Sequence, residues 1–255
     1  MAMSHSSIVR LVVVFLFGLT LTSGRASAQA PAAPAPPAGP WTGSAGAGVA
    51  VTSGNTDTSN INVGYDLTYD PKTKNVVKSD LLFLRGKKDE DLTVSRLGFN
   101  ARDQYALTSR TFTYGQVQYL RDKFKDIDYL VAPTAGLGYK LVNAASTALQ
   151  VDGGLGGIWE KNPGFDVKKS GAVTAGERLV QKLSDTASLS QQLVGLWKTS
   201  DFGDALYTFG TTLAANLTSK SQVKIDLLDS YKAKPPTPAI KSNDIAIVFS
   251  IGYKL

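Results

Sequence analysis

Nucleophilic catalysis by Ser–His or Cys–His pairs, and most transition-metal sites, require histidine or cysteine. This chain of 255 residues has no cysteine and one histidine, His5. The acidic clusters Asp89-Glu90-Asp91 and Asp126/Asp128 carry the oxygen ligands that hard divalent cations prefer, lipopolysaccharide-bridging ions included; such clusters are more often solvated loop charge. Asp57 and Asp204 have no histidine partner, which argues against an omptin-like protease or a Ser–His phospholipase. A second set is dispersed: Asp66, Arg102, Gln104, Gln116, Gln118, Gln150, Asp152, Lys224 and Asp226. Groups of this kind can line an aqueous path and set its ion selectivity. They can also form a cross-strand network of salt bridges and hydrogen bonds that fills a small barrel. Both signs of charge on neighbouring segments favour the network. No catalytic, cofactor-binding or metal-ligating residue is expected, and an enzyme is the weakest reading.

The segments that must position these residues begin after a targeting sequence. Residues 1–28 read as a secretory signal peptide: Arg10, then the apolar run Leu11–Leu21, then Ala26-Ser27-Ala28 as the cleavage pattern. A run of 11 residues is short for a membrane-spanning helix, which needs about 20. No cysteine follows it, so lipoprotein anchoring is excluded. Cleavage before Gln29 removes Arg10, Arg25 and His5, lowers the formal charge from +6 to +4 and leaves no histidine. A charge this small, in no basic block, is a poor argument for nucleic-acid binding. Residues 29–40 (QAPAAPAPPAGP) form a Pro/Ala linker that cannot build a core.

From Trp41 onward the hydrophobic period is two. Ile61, Val63, Tyr65, Leu67 and Tyr69 alternate with Asn60, Asn62, Gly64, Asp66 and Thr68. Ile245, Ile247, Phe249, Ile251, Tyr253 and Leu255 alternate with smaller or polar residues. Twelve strands are predicted, at about 41–52, 58–70, 75–86, 92–107, 111–122, 129–142, 146–159, 171–183, 186–198, 205–217, 221–232 and 244–255. Each suffices to cross a bilayer, for which about 9–11 tilted residues are needed. Glu177 and Gln191 fall on the apolar parity and leave the register uncertain there. Polar connections at 53–57, 87–91, 123–128, 161–170, 199–204 and 233–244 alternate with tight ones. Alternating long and short connections around an even number of strands is the pattern of a closed antiparallel transmembrane barrel.

The aromatics obey the same geometry. If the first strand rises from the periplasm, Trp41, Tyr69, Tyr105, Tyr139 and Tyr253 fall at periplasmic strand ends. Tyr119, Tyr129, Trp159, Trp197, Tyr207 and Tyr231 fall at outer ends. All lie on the outward parity, as two interfacial girdles require. A soluble sandwich would bury its tryptophans instead. The inward parity is rich in glycine (Gly46, Gly48, Gly64, Gly98, Gly136, Gly138, Gly154, Gly156, Gly210). That leaves space for water or room for other side chains to cross. Gly153–Gly157 lies within a strand with no following helix, so it is not a nucleotide cradle.

Trp41-Thr42-Gly43-Ser44 with Ser53-Gly54-Asn55-Thr56, and the stretch Tyr114…Tyr119-Leu120-Arg121-Asp122-Lys123-Phe124…Asp128-Tyr129…Gly136-Leu137-Gly138-Tyr139-Lys140-Leu141, resemble a family of outer-membrane barrels of unknown function, described as salt-induced outer membrane proteins. The resemblance covers residues 41–255. It implies a Gram-negative outer-membrane location and a link to osmotic or salt stress, and supplies no catalytic residue or substrate. The C-terminus also resembles a barrel-assembly signal, with Tyr253 two residues before a terminal Leu255 where Phe is usual. The expected partners are outer-membrane lipid, lipopolysaccharide, the barrel-assembly machinery and periplasmic chaperones, with no nucleic acid and no cofactor. The function expected is a structural or pore-forming barrel. Two alternatives are a porin-like channel for small solutes or ions, and a surface-binding or adhesion protein using loops 161–170 and 233–244.

Overall fold

The computed structural model describes residues 39–53, 58–88 and 91–255. The expected signal peptide, all but the end of the Pro/Ala linker, the loop tip around Gly54-Asn55-Thr56-Asp57 and the Asp89-Glu90 pair lie outside the described residues. Twelve strands form: β1 Trp41–Ser53, β2 Thr58–Tyr69, β3 Asn75–Lys88, β4 Asp91–Ala106, β5 Thr111–Asp122, β6 Ile127–Asn143, β7 Thr147–Lys161, β8 Lys168–Lys182, β9 Ala187–Lys198, β10 Asp201–Asn216, β11 Ser221–Lys232 and β12 Asn243–Lys254. Every pair is antiparallel, each strand neighbours its successors in sequence, and β12 closes on β1. At the seam Ala45 lies opposite Tyr253, Val49 opposite Phe249 and Ser53 opposite Ile245.

The two faces show which solvent each side meets. On β12 the outward Ile245, Ile247, Phe249 and Ile251 are 40–65% exposed, whereas the inward Ala246 and Val248 are at most 4% exposed. Val49, Val51, Ile61, Val63, Leu137, Leu155 and Ile225 continue the outward apolar band around the ring. A belt this extensive does not stay in water. In hydrocarbon a closed ring pairs every backbone N–H and C=O and leaves no edge. The girdles form as well. Trp41 and Tyr69 meet with ring centroids 4.6 Å apart at the terminal end of the barrel, where β1 begins and β12 ends. At the opposite, loop end Trp197 packs edge-on against Tyr207 at 5.6 Å and donates its indole N–H to the Tyr207 hydroxyl at 3.1 Å. Substituting Leu155, at the middle of β7 and 67% exposed, by Arg is expected to cost about 2–4 kcal/mol in vesicle unfolding titrations. A shift under about 0.5 kcal/mol would place that face in water.

The tight turns at the terminal end repeat one device. In Leu107–Thr111, Leu183–Ala187 and Leu217–Ser221 the N–H of the leucine reaches the carbonyl four residues on. The Thr108, Ser184 or Thr218 hydroxyl accepts the backbone N–H two and three residues later. These local side-chain bonds fix the hairpin, and with it the register.

Three connections differ from expectation. Residues 199–204 are not a loop: β9 turns at Thr199-Ser200 and β10 starts at Asp201, with a bulge before Ala205. Residues 161–170 shorten to a six-residue connection because β7 and β8 extend at the loop end. Residues 123–125 form a 3-10 turn, and β6 starts at Ile127. Each of these segments puts polar residues on an inner face that is itself charged, so polarity there does not signal a loop. The register through Glu177 and Gln191 is regular: Glu177 lies opposite Val151 and Leu193, and Gln191 opposite Leu179. Both side chains face outward, and the Gln191 amide donates to the Glu177 carboxyl at 3.4 Å.

Candidate functional site

The lumen has two polar regions separated by apolar layers. Period two places the residue after each loop-end girdle aromatic inside the ring: Glu160 after Trp159, Lys198 after Trp197 and Lys232 after Tyr231. Glu160, only 2% exposed, receives the ammonium groups of Lys198 at 2.7 Å and Lys232 at 3.0 Å. Asp204 receives the same two lysines at 2.5 and 3.0 Å. Asn162 adds amide bonds to Glu160 at 3.3 Å and to the Asp126 carbonyl at 2.8 Å. Two carboxylates and two ammoniums balance, which is the condition for holding charges away from water.

The 3-10 turn crosses this end. Asp122 caps it by accepting the Phe124 N–H at 2.9 Å, and Asp126 ends it in the left-handed region at φ 49°. The turn points inward. Phe124 packs with Ala50, Leu84, Ala246 and Val248, which come from β1, β3 and β12. Lys125, fully buried, donates to the Ser242 carbonyl at 2.9 Å and pairs with Asp244 at 2.7 Å. β6 and β12 are six places apart in a ring of twelve, so the turn spans the lumen to the opposite wall. A second apolar cluster, Leu120, Ile127, Leu130, Ala132, Ile158, Ala172, Leu196 and Leu206, fills the β5–β10 side. Its members are at most 8% exposed.

Towards the terminal end the lumen is more exposed and its walls differ in charge. On one wall Asp66, whose side chain is 53% exposed, accepts from Ser44 at 2.5 Å and pairs with Lys224 at 2.9 Å. Thr212 donates to Asp226 at 2.5 Å on the same wall, and between the two walls Asn100 on β4 donates to Asp80 on β3 at 2.7 Å. On the other wall Arg102, 6% exposed, lies flat over the Tyr114 ring at 3.7 Å, donates to Gln116 at 2.8 Å and pairs with Asp152 at 3.2 Å. Arg178 also pairs with Asp152. The Tyr114 hydroxyl bonds Thr174 at 3.2 Å.

Arg102 on β4 reaches Asp152 on β7 because β6 and β7 present glycine between them. A Cβ on Gly138 would overlap the Phe112 ring, and one on Gly154 would overlap the Tyr114 hydroxyl. Gly138 and Gly154 therefore make room for crossing side chains, while Gly136 and Gly156 lie close to neighbouring backbone.

All nine dispersed residues expected in the lumen lie on its inner face, and six of them join the ion pairs and hydrogen bonds just described: Asp66, Arg102, Gln116, Asp152, Lys224 and Asp226. Gln104, Gln118 and Gln150 lie on the same face with side-chain atoms that are buried and unpaired. Asp126 serves as a cap, and Asp128 is exposed. Among the described residues no group of three or more acidic or histidine side chains is placed to hold a metal. The loop-end lattice was missed in the sequence. Its signal was the charged residue following Trp159, Trp197 and Tyr231, together with a phenylalanine inside an otherwise polar connection.

Comparison with solved structures finds the same architecture at very low identity. The NanC porin matches at 8% identity and a TM-score of 0.54, over 84% of this chain and 100% of its own. The translocator domain of the autotransporter NalP from Neisseria meningitidis matches at 11% identity and a TM-score of 0.50, over 98% of this chain and 94% of its own. Outer membrane phospholipase A from Escherichia coli is similar at 10% identity and a TM-score of 0.47, over 82% of this chain and 89% of its own. The first two similarities show the fold of outer-membrane barrels. No curated protein matches the sequence. The model of one family, described as "Protein of unknown function, DUF481", matches residues 45–255. With nearly the whole barrel inside that match, the chain belongs to the DUF481 family of proteins of unknown function.

Proposed function

We propose that the protein is a non-catalytic outer-membrane barrel that is closed at rest. Among the described residues, its aqueous compartment is a vestibule open at the end where β1 begins and β12 ends. The observation that carries this reading is the inward 3-10 turn, whose Phe124 and Lys125 dock on the far wall and complete a layer of buried side chains. The apolar belt and two aromatic girdles support insertion in a bilayer. Export through a cleaved signal peptide, contact with outer-membrane lipid and lipopolysaccharide, assembly by the barrel machinery with its chaperones, and the link to salt stress belong to the same reading. The lack of histidine beyond residue 5 and of any cysteine supports a barrel that works through its wall and lumen.

Planar-bilayer recording tests the proposal. The purified wild-type barrel is expected to insert without steady conductance steps in 1 M KCl. Reproducible ohmic steps from the unmodified protein would overturn the closed state and favour the porin-like alternative.

A further inference from the structure

We infer that the basic wall of the vestibule is a binding site for a small oxyanion, meaning a carboxylate, sulfate or phosphate group. Two independent observations meet there. The first is charge: Lys78 on β3 lies opposite Arg102 on β4 and within electrostatic reach of Arg102, of Arg178 on β8 and of Lys140 on β6, and Arg102 is within reach of Arg178. Asp152 is the carboxylate that ion-pairs with the two arginines. Asp70, near Lys78 and Lys140, and Asp80, near Arg178, add to Asp152, so four cations face three carboxylates, and the excess of one positive charge is what a bound anion would neutralise.

The second observation is a set of donors without acceptors. Gln104 is 8% exposed, and its amide nitrogen is buried with no hydrogen-bond partner. The Nε of Arg102 and the amide nitrogen of Gln150 are in the same condition. Gln104 sits one inward position from Arg102 on β4, and Gln150 one inward position from Asp152 on β7. Lys78 lies opposite Arg102, and Gln150 lies between Lys140 and Arg178. A buried donor left unpaired costs about 1–3 kcal/mol. Unpaired donors clustered on the wall that already holds surplus positive charge call for an acceptor that is also an anion. The guanidinium of Arg102 is held over Tyr114 and anchored by Gln116, so the site is pre-formed.

Calorimetric titration of the folded barrel in detergent at low ionic strength, with sodium sulfate as the probe, tests this site. Saturable binding is expected, weakened at least tenfold in Lys78→Met and several-fold in Gln104→Leu. Lys224→Met, on the opposite wall, is expected to bind sulfate as the wild type does. A parallel titration with phenyl phosphate distinguishes a free inorganic ion from the anionic end of a larger solute. Binding comparable to sulfate assigns the latter, and binding of sulfate alone the former. Absence of saturable binding by the wild type, or equal binding by all three variants, overturns the inference. The outcome is separable from the closed state, because the vestibule lies below the buried layer and binding is read without conduction.

Discussion

Replacing Glu160 by alanine is expected to destabilise the barrel by about 3–5 kcal/mol, the usual cost of stripping one partner from a buried ion pair. Glu160 touches both Lys198 and Lys232, each no more than 6% exposed. Its removal leaves two ammonium groups to share Asp204. Reversible urea unfolding in phospholipid vesicles measures the loss. Glu160→Gln keeps the volume and the bond from Asn162 but not the charge, and is expected to lose nearly as much. Combining Glu160→Met with Lys232→Met restores the charge balance and is expected to recover much of the stability, because a balanced apolar replacement does not strand a charge. A loss below about 1 kcal/mol in Glu160→Ala would mean that the lattice is hydrated in solution.

The second large effect is expected at the inward turn. The double substitution Phe124→Ala with Lys125→Ala removes the ring from the Ala50–Leu84–Val248 cluster and the ammonium from Ser242 and Asp244. The variant is expected to convert a silent barrel into one with steady conductance. Lys125→Met keeps the stem packed and is expected to stay closed or to flicker. Heat-modifiable migration on gels checks that each variant is folded. A folded double variant that remains silent would show that the two apolar clusters seal the lumen without the turn.

The strands were legible in the sequence because a half-lipid, half-lumen sheet enforces period two with little freedom. Ile61–Tyr69 and Ile245–Tyr253 read out their faces directly. The set from Asp66 to Asp226 was legible for the same reason. What parity does not contain is the stagger of the closed ring, which decides that Arg102 meets Asp152 three strands away rather than a nearer neighbour. Segment 199–204 misled because Asp201 and Asp204 are polar for different reasons: one ion-pairs near the turn with Lys234, the other points into a charged lumen. Glu177 and Gln191 disturbed the pattern as a bonded pair on the outward face, not through a shift of register.

The docking of Lys125 on Ser242 joins residues 117 positions apart in the chain. It has a kinetic corollary. β12 is the last strand, so this contact cannot form until the whole ring has been laid down. A sheet without β11 holds Glu160 and Asp204 short of Lys232, and one without β12 holds Lys125 short of Asp244, so burial of this end is unfavourable until the last two strands arrive. Stabilisation is deferred to the last steps, so incomplete barrels gain little and remain reversible.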